Sequence, residues 1–150
     1  MDLLIDDGYG YMGNSLADDI PHYWVTDFDT RRSILALPYY YHFDDQFFML
    51  FPRRGSGLEN PDFLLRNRKA EFSAQYRRGR VFEMTLHPQH SGRDHRSHDL
   101  DRFLAHMREF PDLWNATSEQ CAEYWRQTYP AESALHLEPS IWQDHPGSLS

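Results

Sequence analysis

Cysteine is nearly absent from this chain of 150 residues, where Cys121 stands alone. One thiol excludes an internal disulfide and a multi-cysteine zinc knuckle. Long hydrophobic runs are missing too, and no apolar stretch approaches the length of a membrane span. Positive charge is in short supply: 15 Lys and Arg face 23 Asp and Glu, for a formal net charge of −8. The basic residues are scattered apart from short pairs such as Arg53-Arg54 and Arg77-Arg78. That balance argues against nucleic acid or an anionic membrane as the main partner. The opening Met1-Asp2-Leu3-Leu4-Ile5-Asp6 has neither a basic n-region nor a long apolar core, so no secretory signal is read there. Internal repeats and low-complexity blocks are not seen. These absences together lead to the expectation of a soluble, reduced, cytoplasmic protein.

What is present is aromatic. Phe, Trp and Tyr make up 15% of the residues, a composition that packs a core and argues against disorder. The length suits one domain. Leu3-Leu4-Ile5 reads as the tail of an element, cut off by the turn signal Asp6-Asp7-Gly8. Residues 9–24, with glycines, Asn14 and Pro21, read as a functional loop. Ser33 to Leu37 is predicted as a strand ended by Pro38, and Tyr39 to Phe51 gathers aromatics around Asp44-Asp45. Asn60-Pro61 is a helix start, with Leu65, Phe72 and Tyr76 at helical spacing and Gly79 as its stop. Val81 to Leu86 is a short β-prone run between Gly79 and Pro88, which predicts a buried strand. Leu100, Phe103, Leu104, Met107 and Phe110 mark an amphipathic helix. Thr117 and Gln120 form a capping-box pattern for a last helix, whose Cys121, Tyr124, Trp125 and Tyr129 are expected to face inward until Pro130. Residues 131–150 read as a loosely attached polar tail. Strands alternating with helices predict parallel pairing in an α/β sheet of few strands.

The chemistry-bearing residues concentrate at the end of the predicted strand 81–86. His87 stands where α/β folds usually place their reactive groups, and imidazole is the side chain best suited to proton transfer near neutral pH. His90, His95 and His98 follow closely. Four imidazoles invite a metal, but Pro88 and Gly92 break any helix that would align them, so a solvated His-rich loop competes with that reading. Asp6-Asp7-Gly8 is either an acidic metal pair or a plain turn. Asp18-Asp19 and Asp44-Asp45 either solvate loops or, among aromatics, line a polar pocket or orient a histidine. Tyr39 and Phe47 belong to an aromatic group that is mostly core, with one or two members free to stack on a sugar ring.

Four segments in order carry a family likeness. Leu86-His87-Pro88 with Ser91-Gly92-Arg93 resembles the last motif of the polysaccharide deacetylase family, the nodulation-type carbohydrate deacetylases. Asn14 to Trp24, with Asp18-Asp19, Pro21 and Tyr23-Trp24, is similar to a loop of the branch that includes allantoinase-like members. Leu37-Pro38 through Asp44-Asp45-Gln46-Phe47 resembles the strand and acidic-aromatic loop that follow. The helices at about 99–110 and 117–130, with Trp114 between them, fit the closing pattern.

The resemblance implies the carboxyl-terminal part of a distorted (β/α) barrel, with residues 1–130 as a partial catalytic domain. It implies a hydrolase acting on non-peptide carbon–nitrogen bonds, removing acetyl from an N-acetylated carbohydrate, or opening a cyclic amide of the allantoin type. The family's metal, usually zinc, is held by one aspartate and two histidines and activates a water. His87 would protonate the departing amine. Asp45 or Asp44 would orient it, with Asp19 or Asp18 as the next choice. Asp18, Asp19, Trp24, Tyr39, Phe47, Ser91 and Arg93 would line the substrate site. The chain departs from the family in lacking any His-x-x-x-His pair and any Arg-x-Pro-x-Gly, and Asp94 stands where proline is usual. No metal ligand is therefore assigned here, and the chain alone is expected to hydrolyse nothing. The expected partners are a small-molecule or oligosaccharide substrate and an amino-terminal half or a second copy. A non-catalytic sugar-binding module and one half of a split enzyme are the competing readings.

Overall fold

The computed structural model describes residues 1–49 and 60–134. Strands form at Tyr11–Ser15 (β1), His22–Asp27 (β2) and Arg32–Pro38 (β3), in the spatial order β1-β3-β2. An unbroken apolar run suits a strand covered on both faces. In β3, Ile34, Leu35, Ala36 and Leu37 are all buried. Ile34 and Ala36 join Met12 under Leu4 and Ile5 of a short amino-terminal helix, α1 (Asp2–Asp6). Leu35 and Leu37 face the other way, onto Ala122, with Tyr11, Tyr23, Cys121 and Trp125 around them.

Two expectations are corrected here. The stretch 9–24 holds β1 and the start of β2, where a loop is expected from its sequence. In β1, YMGNS, the two buried residues, Met12 and Ser15, lie three apart across a register irregularity in the pairing with β3, so no period-two pattern marks the strand. The sheet is also mixed, not all parallel: β1 runs parallel to β3, while β2 is antiparallel to it. The reason is the connection. Four residues, 28–31, join β2 to β3, and parallel strands need a crossover of a dozen or more. That turn is shaped by Asp27, whose Oδ1 accepts from the amides of Asp29 and Thr30 at 2.9 and 3.1 Å, and by Arg31 at φ 56°.

After a 3₁₀ turn at Tyr41–Phe43 come α2 (Asp45–Met49) and α3 (Pro61–Arg78). The predicted boundaries of α3 hold. Asn60 Oδ1 accepts from the Asp62 amide at 3.0 Å, and Gly79 closes the helix at φ 63°, ψ 38°. A single turn, α4 (Pro88–Ser91), precedes α5 (Asp94–Met107). α5 begins before its apolar face does, because its first turns carry polar residues such as Asp94, His95 and Arg96. Phe72 centres this helical layer, edge-on to Phe82, Phe103 and Phe110 with ring centroids 5.5, 5.9 and 4.9 Å away. α6 (Ser118–Thr128) has its capping box, with bonds of 3.2 and 2.9 Å. Its buried residue is Ala122, whereas Tyr124 and Tyr129 are exposed, against expectation. The inward stripe is narrow and runs through residues 121, 122 and 125. α7 (Ala131–Ala134) opens the predicted tail, of which residues 135–150 lie outside the described residues. No helix among the described residues is long and apolar enough to cross a membrane.

Val81 to Leu86, predicted as a buried strand, runs between α3 and α4 without strand pairing. Phe82 and Met84 pack into the helical core around Phe72. The residue pattern is right for a strand, but strand structure needs a neighbour, and no described residue supplies one.

Candidate active site

Proline cannot continue a paired strand and is well suited to the first position of a helix. At His87-Pro88 the chain accordingly turns from extended backbone into α4, with His87 as the capping residue at φ −107°, ψ 120°. One turn on, Ser91 returns beneath His87, its amide bonded to the His87 carbonyl at 2.9 Å. Asp45 arrives from the other side as the first residue of α2. Its amide donates to the Thr85 carbonyl at 3.1 Å, which clamps this loop to the extended segment.

These constraints converge on one carboxylate. Asp45 is fully buried. Its Oδ2 accepts from the His87 amide at 2.9 Å and from Ser91 Oγ at 2.6 Å, and its Oδ1 lies 2.7 Å from His87 Nδ1. Burial pushes the Asp45 carboxyl upward, but the bonds from Ser91 and from the His87 amide and ring outweigh it and hold the group below its ordinary value of 3.8. An ionised carboxylate only accepts, so the hydrogen between the two rests on Nδ1. Nε2 is left to exchange a proton with whatever enters, and the side chain is 29% exposed.

Asp44 has a different task. Its Oδ2 accepts from Tyr39 Oη at 2.5 Å and its Oδ1 from the Gln46 amide at 2.8 Å, while His87 Nδ1 is 3.7 Å away. It fixes the loop that presents Asp45. Burial and the bond to Asp44 push the Tyr39 phenol up. The Tyr40 phenol is pushed up to about 12 by burial and nearby carboxylates, and donates to the Val81 carbonyl at 3.0 Å.

Arg68 is a participant that sequence reasoning misses. It is 3% exposed, and its Nε and Nη2 have no hydrogen-bond partner among the described residues. Burial pulls the guanidinium's pKa down, opposed by the charges of Asp45 and Asp99. A signal does exist: Arg68 sits between Leu64, Leu65 and Phe72 on the buried stripe of α3, where a charge is out of place.

Of the other predicted residues, Ser91 and Tyr39 join the cluster and the rest do not. Asp19 pairs with Arg78 at 2.8 Å and Arg80 at 3.7 Å, so it ties the β1–β2 loop to the end of α3. Asp18 is exposed and accepts from the Asp19 amide. Neither aspartate touches His87. Trp24 is exposed on β2, Phe47 packs edge-on against Tyr41, and Arg93 is exposed where α5 begins. Asp6 ends α1 in an ion pair with Arg32, and Asp7-Gly8 form the turn that follows.

Asp44, Asp45 and His87 bring three ligand-type atoms within 4.8 Å of one another, the proximity a divalent ion requires. The donors are nevertheless committed. Both Asp45 oxygens accept hydrogen bonds, and a ligating Nδ1 would have to give up its hydrogen. The set fits a proton-transfer pair better than a resident metal.

No family model matches the chain. A putative polysaccharide deacetylase of Schizosaccharomyces pombe is 26% identical over 125 residues, covering 75% of this chain and 38% of that protein. The fold is similar to a putative polysaccharide deacetylase from Mycobacterium smegmatis, with a TM-score of 0.74, 27% identity, and coverage of 93% of this chain and 48% of that one. A probable polysaccharide deacetylase of Pseudomonas aeruginosa and Puue allantoinase each give a TM-score of 0.73 at 23% identity, over 85% of this chain and 42% of theirs. The chain thus spans less than half the length of the relatives it matches. In sequence and in fold it is similar to part of the polysaccharide deacetylases.

Proposed function

We propose that this chain carries the proton-donating part of a hydrolase that cleaves a non-peptide carbon–nitrogen bond, with the acetamido group of an N-acetylated carbohydrate as substrate. The carrying observation is the Asp45–His87 contact of 2.7 Å, made between a buried carboxylate and a partly exposed imidazole. Amide hydrolysis stalls unless the departing nitrogen is protonated, because an amide anion is a very poor leaving group. His87 Nε2 gives that proton. The imidazolium donates from Nε2 and keeps its Nδ1 hydrogen on Asp45, whose negative charge steadies the charged ring before transfer. Ser91 and the His87 amide keep Asp45 from turning away. The divalent ion that the family likeness implies would be held by residues other than these.

Acetate release from N-acetylglucosamine oligomers tests this, measured for the chain alone and for the chain mixed with the portion of the fission-yeast relative that it does not match. The chain alone is expected to release none. In an active mixture, His87→Ala lowers kcat by about 10²–10⁴-fold. Asp45→Asn also lowers it, because the introduced carboxamide can present its N–H to the ring and favour the wrong tautomer. Turnover indifferent to both changes sinks the assignment. The structural likeness to Puue allantoinase favours one second reading, a cyclic amide substrate, which allantoin in place of the sugar distinguishes.

A further inference from the structure

The turn that follows the extended segment brings a second imidazole beside the first. His87 and His90 stand three residues apart across the single turn of α4, a spacing that makes side chains neighbours. The His90 amide donates to the His87 carbonyl at 2.8 Å, which holds the two residues in that relation. Their ring centres are 5.7 Å apart and the rings are tilted by 57°, so they are adjacent without stacking. Two imidazoles bound to one tetrahedral ion at about 2.0–2.1 Å hold their ring centres about 5 Å apart. A small side-chain rotation closes the observed gap to that value. His87 also has the support that a ligating histidine needs. A metal-bound imidazole almost always gives its other ring N–H to a carboxylate, carbonyl or water, which fixes the tautomer and makes the ligating nitrogen more basic. Nδ1 of His87 does so at 2.7 Å from Oδ1 of the buried Asp45, whose Oδ2 is held by Ser91 Oγ and the His87 amide. In the neutral ring the lone pair is then on Nε2, on a side chain 29% exposed. His90 is half-buried beside it.

We propose that His87 and His90 together hold an exchangeable divalent transition-metal ion of the zinc type, through His87 Nε2 and one ring nitrogen of His90. Nitrogen donors suit zinc, nickel or copper, whereas magnesium and calcium take oxygen. With two protein ligands and water in the remaining positions, the ion comes and goes. The atoms are not those that a metal would use in the Asp44, Asp45 and His87 group, because here Nδ1 keeps its hydrogen and Asp45 keeps its hydrogen bonds. The spacing is also one residue shorter than that of the His-x-x-x-His pair that the family likeness implies. A bound ion occupies the Nε2 lone pair that otherwise takes up a proton, so proton donation by His87 is held off while the ion stays. That consequence rests on the hydrolase reading; the binding itself does not.

Heteronuclear NMR of the imidazole rings in the isotope-labelled chain tests it, with zinc chloride as the probe at about pH 7.5, above the ordinary imidazole range. Zinc is expected to move the signals of His87 Nε2 and of one His90 ring nitrogen together, with a single midpoint. The His87 Nδ1–H signal persists, and magnesium chloride at the same concentration moves neither ring. Asp45→Asn weakens zinc binding by about 10–100-fold, as the loss of an outer partner of a ligand does. His90→Gln removes a ligand and weakens it at least as much, with an amide spectrum outside α4 that matches the parent. Since the readout is zinc at the two rings, a chain that hydrolyses nothing still answers the question. Three results overturn the proposal: neither ring responds to zinc; zinc displaces the His87 Nδ1 hydrogen, which makes the Asp44, Asp45 and His87 group the site; or His90→Gln binds zinc as tightly as the parent, which leaves adventitious binding elsewhere.

Discussion

Asp45 concentrates the electrostatics of this molecule at one residue. It is a carboxylate without solvent contact, stabilised by three hydrogen bonds and by the charge of Arg68 nearby. A group whose folded pKa lies below its unfolded value stabilises the fold above the unfolded value, and that contribution fades as pH falls through the folded one. Because Asp45 is lowered from 3.8, its contribution is whole at neutral pH and is lost only in acid below that point. Urea unfolding between about pH 2 and about pH 7, on either side of the carboxylate range, therefore shows a steeper acid limb for the parent than for Asp45→Asn. Equal limbs contradict the assignment. Just beyond Ser91, a backbone constraint of another kind operates. A Cβ on Gly92 would stand 2.4 Å from the Pro88 carbonyl oxygen, although its φ of −79° suits any residue. Gly92→Ala must open the α4 turn and lift Ser91 from Asp45. Its cost, about 1–3 kcal/mol as for overpacking a tight site, is read by chemical denaturation.

At the scale of elements, local capping and long-range packing separate cleanly. α3 has a side-chain cap at Asn60 and a left-handed residue at Gly79, both legible in the sequence. Asn60→Ala is expected to cost about 1 kcal/mol, and Gly79→Ala about 1 kcal/mol, since alanine is strained at positive φ. Thermal melts of either variant that match the parent contradict this. Phe72 is different in kind, because its ring is edge-on to three others and 1% exposed. Phe72→Ala costs about 3–5 kcal/mol, read by the same melts. The segment 81–86 shows why pattern and structure part company. Its composition and its flanking breakers are those of a strand, but a strand is a relation between two pieces of chain, and its free edge has no neighbour among the described residues.

For the molecule as a whole, the sheet joins β1, β2 and β3 in a mixed order, and the extended segment 81–87 is tied to its neighbourhood through the loop at 39–45. This loop meets that segment because Tyr40 bonds both Val81 and Glu83, and Asp45 bonds Thr85 and His87. The limits of α3, the apolar β3, the capping box at Thr117 and the prominence of His87 were all decided by neighbouring residues, so the sequence by itself determined them. Local rules cover them because each depends on contacts within a few positions. The antiparallel pairing of β2, the choice of Asp45 over Asp44 as the partner of His87, the placing of Asp18 and Asp19 away from it, and the burial of Arg68 were decided only in the tertiary structure. Each depends on groups far apart in the chain, 42 positions in the case of Asp45 and His87, or on which face of a helix the core claims. No pattern of neighbours specifies such meetings; closing the loops between them does.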